Sequence, residues 1–232
     1  KDVFKYGRAE RIEPSAPALI FNPLEIKENG GMAMNVFNNL KSLGTEVSIH
    51  TNQNWQDITK TRFVDRKTNY ILLREDENDG KYGHFDISSV NFDHYDGVIL
   101  SDYNKGYLTK EDIKEICSKH PLVIMDTKKE IGKWCECVTF IKINNYELGK
   151  AGKITPKLKD RLVVTLGPAG ASHKDTIYPV PSVEIRDLSG AGDTFVAALT
   201  MKYVETKSIE QAIVFANECA TKVVQKSGVS VI

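Results

Sequence analysis

The sequence predicts an α/β protein with a three-layer core built on a mostly parallel sheet, together with a smaller second sheet. Three observations carry this. Short β-rich runs alternate with amphipathic runs at helical spacing, the pattern of a parallel sheet covered by helices. The β-rich runs are continuously or almost continuously apolar, as in strands covered on both faces. Several end in Asp, Asn or Gly, and open α/β sheets bind ligands outside those carboxyl ends.

Taken in chain order, Phe4 to Leu24 and Thr59 to Glu75 are β-like but polar. In the second of these, Thr61 to Val64 and Tyr70 to Leu73 flank the turn-rich Asp65 to Asn69, so the two stretches are read as the small second sheet. Between them Ala33, Val36, Phe37, Leu40 and Leu43 recur at helical spacing, and Gly44 stands where a left-handed carboxyl cap is wanted. Core strands are expected at Val98 to Leu100, Leu122 to Met125, Val138 to Ile143 and Leu162 to Leu166. Thr109 caps a helix whose inner face is Ile113, Ile116 and Cys117. A strand from Val183 to Arg186 should lead through Asp187 to Asp193 into a helix with Val196, Leu199 and Tyr203 on its apolar face. Ser208 to Gln211 fits a capping box, and the helix it opens should stop at Gly228.

Composition narrows the function. The 232 residues balance 31 Lys and Arg against 31 Asp and Glu, so no net field favours nucleic acid or an anionic membrane. Hydrophobic residues are 41% and no apolar run reaches membrane-spanning length. The polar start, Lys1 to Arg11, has no signal-peptide pattern, and a cytoplasmic location is the expectation. Cys117, Cys135, Cys137 and Cys219 lack a C-x-x-C spacing and are read as thiols, and the five histidines show no ligand spacing.

The chemistry centres on Gly190-Ala191-Gly192-Asp193. Glycines let the backbone bend so that the first amides of a helix point outward, where the helix dipole favours an anion. A carboxylate in that first turn, Asp193, can take a proton from an alcohol while the amides neutralise charge on a phosphoryl group. The segment matches neither G-x-G-x-x-G nor G-x-x-x-x-G-K-[ST], so it is not the dinucleotide or Walker type of phosphate loop. Lys128 and Lys129, after Asp126 at a strand end, are candidates for a nucleotide phosphate or else solvated loop residues.

These residues resemble the ribokinase-like (PfkB) carbohydrate kinases. Asp187 to Asp193 matches the family's D-T-x-G-A-G-D, with Leu188 in place of Thr. Gly30-Gly31-Met32-Ala33-Met34-Asn35 resembles G-G-x-x-x-N, Asn144 to Glu147 resembles N-x-x-E, and Thr165 to Gly170 resembles T-x-G-x-x-G. Within the family, Asp2 to Gly7, Arg11 to Pro17, Thr59 to Phe63 and Leu100 to Gly106 are similar to segments of heptose 7-phosphate kinases. The resemblance also brings a strand ending near His50, and only Thr51 to Ile58 stands where the family has a further helical unit.

The resemblance implies one ribokinase-like kinase domain over 1–232 with a β lid at about 4–24 and 59–75. It implies ATP with Mg2+, a monovalent cation as an option, and a sugar or sugar-phosphate acceptor. Asp193 would be the base, with Gly190, Ala191 and Gly192 stabilising the transferred group. Thr165, Gly167, Gly170 and Asn217 would hold the nucleotide. Asn144 and Glu147 would organise the metal. Asp2, Gly30, Gly31 and Asn35 would hold the sugar, and Lys60 and Arg62, alternate residues of one strand, its phosphate. A homodimer through the lid is a further expectation.

Overall fold

The computed structural model describes residues 1–226 and 228–232. The chain divides into two compact units, residues 1–31 with 51–83, and residues 32–50 with 84–232. The first is a four-stranded sheet of β1 (Asp2–Ile12), β2 (Leu19–Asn29), β3 (Thr59–Asp65) and β4 (Ile71–Glu77), in the order β2-β1-β3-β4. Only β1 and β3 run parallel; hairpins supply the other two pairings. In β3 the buried residues are Thr61 and Val64, and its register against β4 shifts between Phe63 and Val64.

The second unit holds a six-stranded sheet of β5 (Val98–Asp102), β6 (Val123–Thr127), β7 (Phe140–Asn144), β8 (Leu162–Thr165), β9 (Ala171–His173) and β10 (Thr176–Tyr178). Its order is β10-β9-β8-β7-β6-β5; β5 to β8 are mutually parallel, and β9 and β10 close one side as antiparallel hairpins. The helices are α1 (Gly31–Ser42), α2 (Lys110–Lys119), α3 (Asn145–Gly149), α4 (Pro156–Lys159), α5 (Ala191–Thr206) and α6 (Ile209–Val223).

Strand alternation assigns the two faces. Ile124 and Val163 pack with Val36 and Leu40 of α1, Phe195 and Leu199 of α5, and Ile213 of α6. The residues between them, Val123, Met125, Ile141, Ile143, Leu162 and Val164, join Ile113 and Ile116 of α2 and Leu158 of α4 on the other side. Both faces are thus covered, and the predicted three-layer, mostly parallel sheet is present. Thr109 caps α2 in a full capping box with Asp112, and Gly44 takes the expected positive φ of 78°. The four cysteines are free thiols, and no helix among the described residues is long and apolar enough to cross a membrane.

Three expectations change. Residues 183–186 form no strand, because no neighbour lies alongside to take their ladder bonds; instead the amides of Arg186 and Asp187 donate to the carbonyl of Val224. Residues 45–50 are likewise irregular, since the six-strand order ends at β5 and leaves them unpaired. Helix α6 ends at Val223, before Gly228, and its cap is a half-box: the Gln211 amide donates to Ser208 Oγ at 3.3 Å, while that hydroxyl donates to Glu210 at 2.9 Å.

The fully buried Ile141 tests this layering. Ile141→Ala should cost about 2–5 kcal/mol, whereas Val214→Ala on the open side of α6 should change stability by less than about 0.5 kcal/mol. The urea midpoint at unchanged m-value reads both.

Candidate active site

The start of α5 is shaped by its own sequence. Asp187 accepts the Ser189 amide at 2.8 Å and the Gly228 amide at 3.0 Å, folding the turn that precedes the helix. Gly190 has φ 82°, and a Cβ there would meet Asn35 Nδ2 at 2.6 Å. A Cβ on Gly192 would meet Lys142 Nζ at 2.7 Å. Both glycines therefore make room for a polar side chain. The first amide bonded inside the helix is that of Thr194, to Gly190 O, so the amides of Gly192 and Asp193 belong to the open first turn.

Asp193 is 3% exposed, and both carboxylate oxygens have a donor. Asn35 Nδ2 donates to Oδ2 at 3.1 Å and Tyr103 Oη to Oδ1 at 3.0 Å. Asn35 is itself fixed by α1: Asn39, one turn on, donates to its carbonyl at 2.8 Å and its side-chain oxygen at 3.2 Å, and Thr194 donates to Asn39 at 3.1 Å. Burial pushes the Asp193 carboxyl up to about 6; the Asn35 bond, Lys142 and the Tyr103 bond pull it down, and the Asp126 charge pushes it further up.

Asp126 and Lys142 are a direct pair in the β6–β7 register and lie on the face that α5 covers. Lys142 Nζ donates to Asp126 Oδ2 at 2.8 Å with both side chains buried. Asp126 Oδ1 is buried without a hydrogen-bond partner and lies 3.9 Å from Lys128 Nζ. Lys128 also pairs with Glu147 and sits 5.6 Å over the Tyr103 ring. Burial by itself would lower the Lys128 ammonium, but Asp126 and Glu147 outweigh it and hold it above its usual range.

At the carboxyl end of β7, Asn144 and Glu147 form a reciprocal cap of α3: each side chain accepts the other's amide, at 2.8 and 2.9 Å. Among the described residues no group of three or more His, Cys, Asp or Glu could hold a metal. Mg2+, however, keeps several waters and takes only one or two protein carboxylates beside phosphate oxygens. Asp126 with its orphaned oxygen and Glu147, both facing the Lys128 ammonium, fit such a hard cation.

The loop after β8 is a tight turn in which the Leu166 amide donates to Gly170 O and the Gly170 amide to Gly167 O. Thr165 Oγ1 donates to Ile143 O at 3.2 Å, and Asn217 Nδ2 donates from α6 to Tyr178 O at 2.8 Å, so both side chains brace the backbone. Lys129 pairs with Asp102 at 2.7 Å.

Asp2, Gly30, Gly31, Lys60 and Arg62 belong to the first unit. Arg62 Nη1 donates to the buried Asp2 Oδ1 at 3.0 Å, and its guanidinium lies 4.9 Å over the Phe4 ring. The phosphate clamp expected of Lys60 and Arg62 therefore has one guanidinium donor already committed to a carboxylate. Gly31 has φ 75° and donates to Asn29 Oδ1 at 2.9 Å at the start of α1.

Sequence reasoning missed Lys142, Asp126 and Asn39 as site residues. The available signal was a lysine inside an otherwise apolar strand, two residues before Asn144.

The bifunctional protein HldE of Helicobacter acinonychis (strain Sheeba) is 29% identical over 284 residues, and that of a Nitratiruptor species 30% over 279. Both alignments take in 98% of this chain, which spans about 60% of the relatives' length. Among solved structures, a ribokinase of Thermotoga maritima aligns with TM-score 0.65 at 18% identity over 98% of this chain and 91% of its own. A ribokinase of Arabidopsis thaliana complexed with ribose and ATP aligns with TM-score 0.67 at 15% identity, over 98% and 90%. These two likenesses show the ribokinase-like fold. Residues 49–231, which include the α5 turn, the N-x-x-E cap and the loop after β8, match the pfkB family carbohydrate kinases, and the chain belongs to that family.

Proposed function

We propose that this carbohydrate kinase transfers the γ-phosphoryl group of ATP to a hydroxyl of a sugar already bearing a phosphate, of the heptose 7-phosphate kind. The observation that carries the reaction is Asp193, a buried carboxylate at the open amino end of a helix. With its carboxyl near about 6 it is mostly ionised at neutral pH yet basic enough to accept a hydroxyl proton. As the sugar oxygen bonds to the γ-phosphorus, its proton passes to Asp193 and the bridge to the β-phosphate breaks, leaving ADP. The amides of Gly190, Ala191 and Gly192 offset charge on the transferred group, that of Ala191 only by leaving the Leu188 carbonyl to which it donates at 3.3 Å, and the Lys142 ammonium lies directly against Gly192.

Asn144, Glu147 and Asp126 would hold the divalent cation, which when bound supplies charge neutralisation on the nucleotide phosphates. Thr165, Gly167, Gly170 and Asn217 form the nucleotide side by resemblance, the two side chains acting through the backbone they brace. Asn35 holds the base, and Asn35 in the second unit and Asp2, Gly30 and Gly31 in the first are each assigned to the sugar by resemblance alone. What supports a phosphorylated acceptor is the alignment to HldE proteins over 98% of the chain, and Lys60 and Arg62 on one face of β3. A pfkB-type kinase for ribose, fructose or a nucleoside is the second reading, favoured by the commitment of Arg62 to Asp2.

Asp193→Asn keeps the shape and removes the proton acceptor, so kcat should fall by about 10²- to 10⁴-fold with little change in ATP affinity. Coupled ADP detection reads it, and near-normal turnover of the folded variant refutes the base. In the wild type, kcat/KM should fall on the acid side of about pH 6, where Asp193 takes up a proton.

Lys60→Met should raise KM for a phosphorylated heptose roughly ten- to hundredfold and leave an unphosphorylated acceptor almost unaffected, whereas Arg62→Met, which also strips the buried Asp2 of its partner, should weaken both sugars and the phosphorylated one more. Equal effects of Lys60→Met on both sugars favour the second reading.

A homodimer through the first unit is supported by Leu24, Ile26, Ile71 and Leu73, each more than half exposed on its strands. Sedimentation should give a dimer, and Ile71→Glu with Leu73→Glu a monomer.

A further inference from the structure

The segment after β5 is anchored far more firmly than a solvent loop needs. Asp102, buried at the strand end, accepts the Thr127 hydroxyl at 2.6 Å, the Lys129 ammonium at 2.7 Å and the Asn104 amide at 3.0 Å. Its carbonyl takes the Lys128 amide at 2.9 Å, and Asn104 sits at φ 54°. The residue fixed between these anchors is Tyr103, whose hydroxyl meets Asp193 Oδ1 while its ring lies under Lys128. The two oxygens of Asp193 thus have different neighbours, a phenol on Oδ1 and the Asn35 amide on Oδ2.

Resting on the reading of Asp193 as the base, we propose that Tyr103 is its positioning residue: the phenol fixes the orientation of the carboxylate and favours its ionised form through Oδ1. A hydroxyl that donates to a carboxylate stabilises the charged form, and inside a dry site that bond is stronger than in water. Each Asp193 oxygen keeps a further lone pair after accepting one bond, so the acceptor hydroxyl still finds a place. The charged groups facing Asp193 are Asp126 on β6, Lys142 on β7 and Lys128 after β6. None of them touches Oδ1 as the phenol does. Removing the phenol leaves burial and the Asp126 charge opposed by one hydrogen bond fewer.

The test uses the full chain with its aspartate carboxyl carbons labelled with 13C, in wild-type, Tyr103→Phe and Asp193→Asn forms. The Asp193 signal is the one missing from Asp193→Asn, so its titration is read without any sugar. In the wild type it should titrate near about 6, and in Tyr103→Phe about one pH unit higher. With the acceptor that turns over best, the acid limb of kcat/KM should move up by the same amount, on top of any loss shared by all pH values. An unmoved titration in Tyr103→Phe overturns the proposal and leaves the base in place. Full turnover by Asp193→Asn removes the base itself, and with it the proposal. A ring that only fills space predicts a loss of rate equal at every pH and no shift, and that result also overturns it.

Discussion

The ion pair between Lys142 and Asp126, 2.8 Å long and shut off from water, dictates what its neighbours must be. Two charges on adjacent strands beneath a helix are costly to desolvate, and losing one partner alone costs about 3–5 kcal/mol. The helix start above them can pass only without a side chain, which is why Gly192 lies where a Cβ would be 2.7 Å from the ammonium. Because the pair neutralises itself only in part, with Asp126 Oδ1 left without a hydrogen bond, the negative field reaches Asp193 and Lys128. The turn that gives the family its motif is thus fitted over a buried charge from the sheet below.

What could be read from the sequence divides along the distance between residues. The α5 turn, the Asn144–Glu147 cap and the Thr109 cap are local, each set by residues within a few positions, and glycine spacing or capping chemistry reveals them. The faces of the core strands follow from alternation. Lys142 and Asp126 meet only because β6 and β7 are neighbours in a given register, a non-local fact that an apolar run interrupted by one lysine does not disclose. Tyr103 could be quoted as part of a resembling segment, but its hydroxyl finds Asp193 across 90 residues of chain.

The strand expected at 183–186 fails for a related reason. Alternation and β-branched residues describe a segment able to pair, and pairing needs an edge. The six-strand order offers this run none, so its amides turn to the end of α6 instead. The first unit shows the opposite case: polar, poorly patterned segments became long strands because β1 found β3 alongside and each found a hairpin partner.

Burying Asp193 sets folding and transfer at odds over a proton. Its carboxyl rises from an ordinary 3.8 to about 6 on folding, so between those values the native chain holds the proton more often than the unfolded chain does. Stability falls with rising pH wherever the native state binds more protons, so the share of stability that Asp193 contributes is whole below about 3.8 and is lost as the pH rises through about 6. The neutral carboxyl that this share favours has no place for a further proton, so the site reaches its working form only by giving that share up.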